Sequence, residues 1–279
     1  MIAVTGCGGQ LGRAVSEACE GRGIPFRAFD RTALNITSPE AVKKSFKEGD
    51  YDCIIHCAAY TAVDAAEDHA AEAFLTNAYA PWLLARTGVP ILSVSTDYVF
   101  DGTASVPYET SSSCCPLSVY GLSKRAGETA LLEGRFNGAI VRTAWVYSKR
   151  VGTKNFYQTI RRLASERSEL SVVADQVGAP TLAEDLASTL VALYEKGVHK
   201  SPMQILHFTN AGSCSWYEFA SEIVRHSGLA TPIRPIPTSA YPTKATRPRF
   251  SALSLASIEH YGVFPRHWKE ALIDQTPTS

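Results

Sequence analysis

Two residues in the run "YGLSK", Tyr120 and Lys124, stand four apart, so on a helix both side chains lie on one face. A phenol with its ordinary pKa near ~10 is a poor proton donor or acceptor at neutral pH, and a nearby ammonium favours the phenolate. Lys124 is therefore expected to bring the pKa of Tyr120 down and make it a usable proton shuttle. Some 24 residues earlier, "SVSTDYVFDG" places Thr96 and Asp97 where a strand ends. Together these groups suit the reduction of a carbonyl: hydride reaches carbon, Tyr120 protonates the oxygen, and the Thr96 hydroxyl orients it. Singly each residue has a plainer reading: Thr96 as a turn hydroxyl, Tyr120 as a half-buried aromatic, Lys124 as a solvated charge. Their combination with a phosphate-binding turn favours the chemical one.

That turn is "VTGCGGQLG", in which Gly6, Gly9 and Gly12 stand three apart between a short apolar run and a helical pattern. Glycine permits the tight turn and close backbone approach that a pyrophosphate needs, and the helix N-terminus supplies unpaired N–H donors. Asp30, about 18 residues after Gly12, is near the offset of a carboxylate that binds the adenosine ribose. Arg31 follows directly and suits a 2′-phosphate, so NADH and NADPH both remain open. In "HCAAYTAVD", small residues at a strand end would let the chain pass close to a dinucleotide.

The elements that position these residues alternate. Strands are expected at Ile2 to Thr5, Ile24 to Phe29, Cys53 to Cys57, Val89 to Ser95 and Ala139 to Thr143. Between them fall helices from Gln10 to Glu20, from near Ser38, from about Ala70 to Arg86 with a restart or kink at Pro81, and from Tyr120 to Leu132. Alternation of this kind implies an α/β fold, a Rossmann-like doubly wound parallel sheet. Beyond Trp145 helices near 155–166, 182–194 and 216–226 alternate with short strands near 170–173 and 204–208. We expect a cofactor-binding domain over residues 1–144 and a smaller C-terminal α/β substrate lobe over 145–279, some of whose segments return to the first. The proline-rich run from Thr231 to Arg249 reads as a binding loop on that lobe.

Lysine plus arginine equals aspartate plus glutamate, 27 each, which gives no global electrostatic case for nucleic acid or an anionic membrane. The seven cysteines have no paired ligand spacing, and no histidine or carboxylate cluster does either, so no metal site is assigned. No leader pattern or bilayer-length apolar run is present, and a cytoplasmic location is expected.

The chain resembles the dTDP-4-dehydrorhamnose reductases, in the extended branch of the short-chain dehydrogenase/reductase superfamily. The resemblance runs through "GCGGQLG", "AAYTAVDAAE", "STDYVFDGT", "VYGLSKRAGE", "VRTAWVY", "NFYQTIRRLA", "DQVGAPT" and "PTSAYPTKATRPRFSALSL". It implies NADPH- or NADH-dependent reduction of the C4 ketone of dTDP-4-dehydro-L-rhamnose, and it is compatible with a homodimer. Carried over by position, Gly9, Gln10 and Leu11 match the pyrophosphate loop, Asp30, Asn35 and Ile36 the adenosine contacts, and Ala58, Ala59 and Tyr60 the segment beside the cofactor. Val63, Thr96, Asp97 and Trp145 match the sugar-nucleotide site, Asn155 is a further substrate candidate with a helix cap as its plainer reading, and Tyr120 and Lys124 match the catalytic pair. Arg247 suits the substrate diphosphate, since a guanidinium binds two oxygens at once; a surface arginine that orders the loop is the other reading. Two positions depart from the pattern: Asn35, where aspartate is common, and Phe250, where a smaller polar residue or tyrosine is usual. Two other functions stay open: a non-catalytic dinucleotide-binding subunit like the regulatory one of methionine adenosyltransferase, which resembles this family, and a reductase of a different nucleotide-linked 4-keto-6-deoxysugar.

Overall fold

A computed structural model describes residues 1–273, so the last residues of the expected 145–279 lobe lie outside it. Its first half alternates as β1 (Ile2–Thr5), α1 (Gln10–Gly21), β2 (Phe26–Phe29), α2 (Pro39–Glu48), β3 (Cys53–His56), α3 (Val63–Ala66), α4 (Ala70–Phe74), α5 (Ala80–Ala85), β4 (Ile91–Thr96), α6 (Val119–Glu133) and β5 (Gly138–Thr143). The strands pair in parallel in the order β2-β1-β3-β4-β5, so the order reverses between β1 and β3. Open α/β sheets bind ligands at such a reversal, outside the carboxyl ends of the strands.

Strand residues point alternately to the two faces, and both faces are covered. Ile2, Val4, Ile55, Leu92 and Val141 pack with α1 on one side, while Ala3, Ile54, Ile91 and Ile140 pack with Val42, Phe46, Leu84 and Leu131 on the other. Burial on both faces explains why these strands read as continuous apolar runs.

The second half adds β6 (Val146–Tyr147), α7 (Phe156–Glu166), β7 (Leu170–Val173), β8 (Val177–Gly178), β9 (Thr181–Leu182), α8 (Ala183–Glu195), β10 (Gln204–His207), β11 (Cys214–Ser215), α9 (Trp216–His226), β12 (Ile233–Ile236), α10 (Ala256–Glu259) and α11 (Trp268–Ile273). β10 pairs in parallel with β5 and becomes the sixth strand of the main sheet. Leu186, Leu190 and Val191 of α8 join the same apolar cluster as Leu11 and Val15 of α1. A separate cluster, including Tyr147, Ile160, Leu170, Phe219, Ile223 and Trp268, is built from α7, α9, α11 and the short strands.

Three expectations shift. The second strand starts at Phe26, with Pro25 contributing only its carbonyl, to the amide of Ile2, and Asp30 follows the strand. Thr231–Arg249 is not loop throughout, because Ile233–Ile236 pairs with β7. The expected helix from Ala70 to Arg86 is interrupted by a π-helical turn, Leu75–Tyr79, between α4 and α5, which carries Pro81 near its start.

Candidate active site

The loop after β1 is built around close backbone contact. Gly6 has a φ of 76°, and a Cβ there would come within 2.6 Å of the Ala58 amide nitrogen. A Cβ on Gly12 would lie 2.2 Å from the Gly6 carbonyl oxygen. Gly9 is the N-cap of α1 and makes no side-chain cap, so the first-turn N–H groups of this 12-residue helix point outward unshared with a capping side chain. That cradle fits a pyrophosphate. Leu11 contributes only backbone here, its side chain being buried in the core. The Gln10 amide donates to the Val146 carbonyl at 2.9 Å and thereby ties the loop to β6.

The adenosine candidates lie together after β2. Asp30 Oδ1 accepts from the Thr32 amide and hydroxyl and the Ala33 amide, and these bonds lower its pKa. Arg31 beside it is exposed. Asn35 Oδ1 accepts from the Thr37 amide and hydroxyl, so the amide oxygen expected to meet adenine is engaged within its own turn. Ile36 packs against the neighbouring core.

At the carboxyl ends of β3 and β4 the remaining groups converge. Ala58, Ala59 and Tyr60 are half-buried, as is Val63 at the start of α3. Thr96 accepts from the Tyr98 amide at 3.2 Å and donates to Asp97 Oδ1 at 3.0 Å. Ser118 caps α6, accepting from the Gly121 amide, and the Glu67 carboxylate accepts from the Val119 amide. Tyr120 thus sits in a fixed first turn, with its ring edge-on to Tyr98 at 5.6 Å and 75°. Gly121 permits this approach, since a Cβ there would meet the Tyr98 carbonyl at 2.3 Å.

The electrostatics differ from the sequence expectation. Burial pushes Tyr120 up to about 12, the Thr96 hydroxyl facing it offsets part of that rise, and the nearby Asp97 charge adds to it. Lys124 does not lower it: its Nζ donates to the Val94 carbonyl at 2.7 Å, and burial brings its own pKa down to about 8. Desolvation is the largest cause of both shifts. Tyr120 is consequently held as the neutral phenol, a donor. Burial also raises Asp97 to about 6, against the Ser251 and Thr96 hydroxyls. His56 is held neutral, lowered to about 3 by burial and the Lys124 charge, with its Nδ1 on the Thr5 hydroxyl at 2.7 Å.

The substrate candidates are more dispersed. Trp145, just past β5, has a φ of 47° and stacks on Trp216. Asn155 caps α7 and its amide also donates to Gln10 Oε1, the Ser148 carbonyl and the Thr153 hydroxyl, so its polar atoms are used inside the protein at the phosphate-loop end. Arg247 grips Asp64, the residue after Val63, through both terminal nitrogens at 3.1 and 2.7 Å. It lies near Tyr98 and thus on the rim of the site.

Two features escaped the sequence reading. Asn77, in the π turn, accepts from the Tyr60 amide at 2.8 Å and donates to the Tyr60 carbonyl at 3.0 Å and to the Ser123 hydroxyl at 2.9 Å, locking the segment after β3 to α6. Glu128, one turn beyond Lys124, is clamped by Arg142 at 2.9 and 2.8 Å and by Ser95 at 2.6 Å. A polar residue in an otherwise apolar helical stripe was the available signal for Asn77; for Glu128 it was the i, i+4, i+8 line from Tyr120.

The glycine cradle and the Tyr120, Lys124 and Thr96 side chains lie at one end of a parallel sheet, the arrangement expected of the short-chain dehydrogenase/reductase class of oxidoreductases. A model of the RmlD substrate binding domain matches residues 1–277, and the chain belongs to that family. The spore coat polysaccharide biosynthesis protein SpsK of Bacillus subtilis is 38% identical, over 97% of this chain and 95% of its own. The dTDP-4-dehydrorhamnose reductase of Mycobacterium tuberculosis strain H37Rv is 39% identical, over 97% of this chain and 90% of its own. The crystal structure of dTDP-4-dehydrorhamnose reductase from Bacillus anthracis, in complex with NADP, superposes with a TM-score of 0.90 at 36% identity, covering 97% of this chain and 96% of that one.

Proposed function

We propose that this oxidoreductase reduces the C4 ketone of dTDP-4-dehydro-L-rhamnose to give dTDP-L-rhamnose, using NADPH or NADH. The observation that carries the reading is the meeting of Tyr120, Thr96 and Lys124 beside the Gly6–Gly12 cradle in a chain of the RmlD family. The reduced nicotinamide supplies the hydride. The first turn of α1 and the Gly9–Gly12 backbone hold the pyrophosphate, Asp30, Arg31, Asn35 and Ile36 border the adenosine, and Ala58 to Tyr60 line the path to the nicotinamide ribose. Thr96 orients the ketone oxygen, and Tyr120, a neutral phenol, gives it a proton as charge develops there. Lys124, held by the Val94 carbonyl, fixes the ribose. Val63, Asp97 and Trp145 border the sugar. Arg247 reaches the diphosphate from the rim; Asn155 acts through Gln10 and not by direct contact. The cofactor side is drawn from residues 1–144, and the substrate side joins Val63, Thr96, Asp97 and Tyr120 of that segment to Trp145 and Arg247 of the 145–279 segment.

The test is NADPH or NADH oxidation on addition of dTDP-4-dehydro-L-rhamnose, with NMR identification of the product. Stoichiometric dTDP-L-rhamnose is expected. Dinucleotide binding without turnover would overturn the reading in favour of a binding subunit, and turnover only of another 4-keto-6-deoxysugar nucleotide would reassign the substrate.

A further inference from the structure

Trp145 occupies a position that its own stretch of chain disfavours. It stands two residues beyond Thr143, the register partner of Thr96, so it emerges at the same sheet edge as the proton-donor site. Its φ of 47° lies in the left-handed region, which persists for a residue with a Cβ only where the surroundings enforce it. Trp216, the first residue of α9, supplies that enforcement: the two rings lie 3.5 Å apart between centroids and 9° from parallel. Such face-to-face overlap is not what two aromatic quadrupoles prefer, so packing holds it. Beyond it, Gly178 leaves room, since a Cβ there would come within 2.6 Å of the Trp145 ring. The Trp145 carbonyl accepts from the Thr181 amide at 3.3 Å. Trp216 is anchored in turn by Phe156, 4.5 Å away and tilted by 51°, and by the Ser215–Glu218 capping box that opens α9. Both indoles remain only half-buried, unlike Phe219 one turn along α9, which is fully buried.

We propose that Trp216 is a positioning residue for the reduction: by stacking on Trp145 it fixes the indole against which the sugar ring is seated, at the level of Thr96. The inference rests on the reading of Trp145 as a sugar-side residue. A ketone displaced by a fraction of an ångström from Tyr120 and from the incoming hydride reacts more slowly.

The decisive variants are Trp216→Leu, which removes the stacking ring, and Trp216→Phe, which retains one. Trp216→Leu is expected to lower kcat/KM for the sugar nucleotide about ten-fold or more, with NADPH affinity unchanged, and Trp216→Phe to recover most of that loss. Trp216→Leu that folds and keeps the wild-type kcat/KM overturns the proposal, as does a Trp216→Phe variant no better than Trp216→Leu. A second measurement needs no folded variant at position 216. Stacked indoles couple their electronic transitions, so the wild-type chain should show a far-ultraviolet circular dichroism couplet that Trp145→Phe lacks. Titration with dTDP-L-rhamnose, an unreactive probe in the absence of oxidised cofactor, should perturb the couplet; saturation without any change overturns the proposal. Absence of ketone turnover in the wild type would count against the functional reading alone, and the couplet would still decide the role of Trp216.

Discussion

Tyr120 and Asp97 show how far burial sets the chemistry of single residues. Tyr120 is a phenol pushed up to about 12, so it is loaded with its proton throughout the physiological range. Tyr120→Phe is expected to lower turnover by about 10²- to 10⁴-fold while NADPH still binds, as checked by kinetics and fluorescence titration. Asp97 is 2% exposed, with its pKa raised to about 6. A carboxyl whose folded pKa exceeds the unfolded one favours the fold below the unfolded value and loses that contribution as pH rises through the folded one. Asp97→Asn should therefore stabilise the protein by about 2–3 kcal/mol above pH ~6 and by nothing below pH ~4. Urea midpoints of the two proteins across that range would show it. None of this was legible in the sequence, where the spacing of Tyr120 and Lys124 suggested an opposite shift; proximity of charge is readable from spacing, but desolvation depends on what covers the pair.

At the level of elements, most of the pattern was legible and its interruptions were not. The apolar runs marked the sheet, and Ser38-Pro39 marked a helix start by its capping chemistry. The π turn at Leu75–Tyr79 was hidden because one extra residue per turn barely disturbs a helical hydrophobic stripe. It is what turns Asn77 inward. α6 carries a second hidden feature in Glu128, buried against Arg142 with both side chains 1–2% exposed. Burial would raise the Glu128 pKa, yet Arg142 and Ser95 keep it low. Removing one member of such a pair leaves the other charge unpaired in the interior. Glu128→Gln should cost about 3–5 kcal/mol in urea-derived stability, whereas Lys244→Ala, which breaks an exposed pair with Asp68, should cost less than about 1 kcal/mol.

In the molecule as a whole, the sequence order of the halves is not their order in space. Sequence reading placed the change of character near Trp145, where alternation loosens, and expected some later segments to return. It had no means of saying which, because a four-residue strand looks the same in either setting. In the structure α8 packs on α1 and β10 pairs with β5. A fragment of residues 1–144 would expose the β5 edge and the apolar face of α1 that Leu186 and Leu190 cover. It should fail to show a cooperative urea transition and should aggregate, whereas a fragment of residues 1–273 should unfold cooperatively.

The late arrival of β10 also bears on biosynthesis. β5 is complete about 60 residues before its partner, an interval of roughly 3–12 s at ordinary elongation rates. Until β10 clears the ribosome, the nascent chain holds the Gly6–Gly12 loop on a sheet with one edge unfinished, a period in which a chaperone that shields strand edges would have its main opportunity to act.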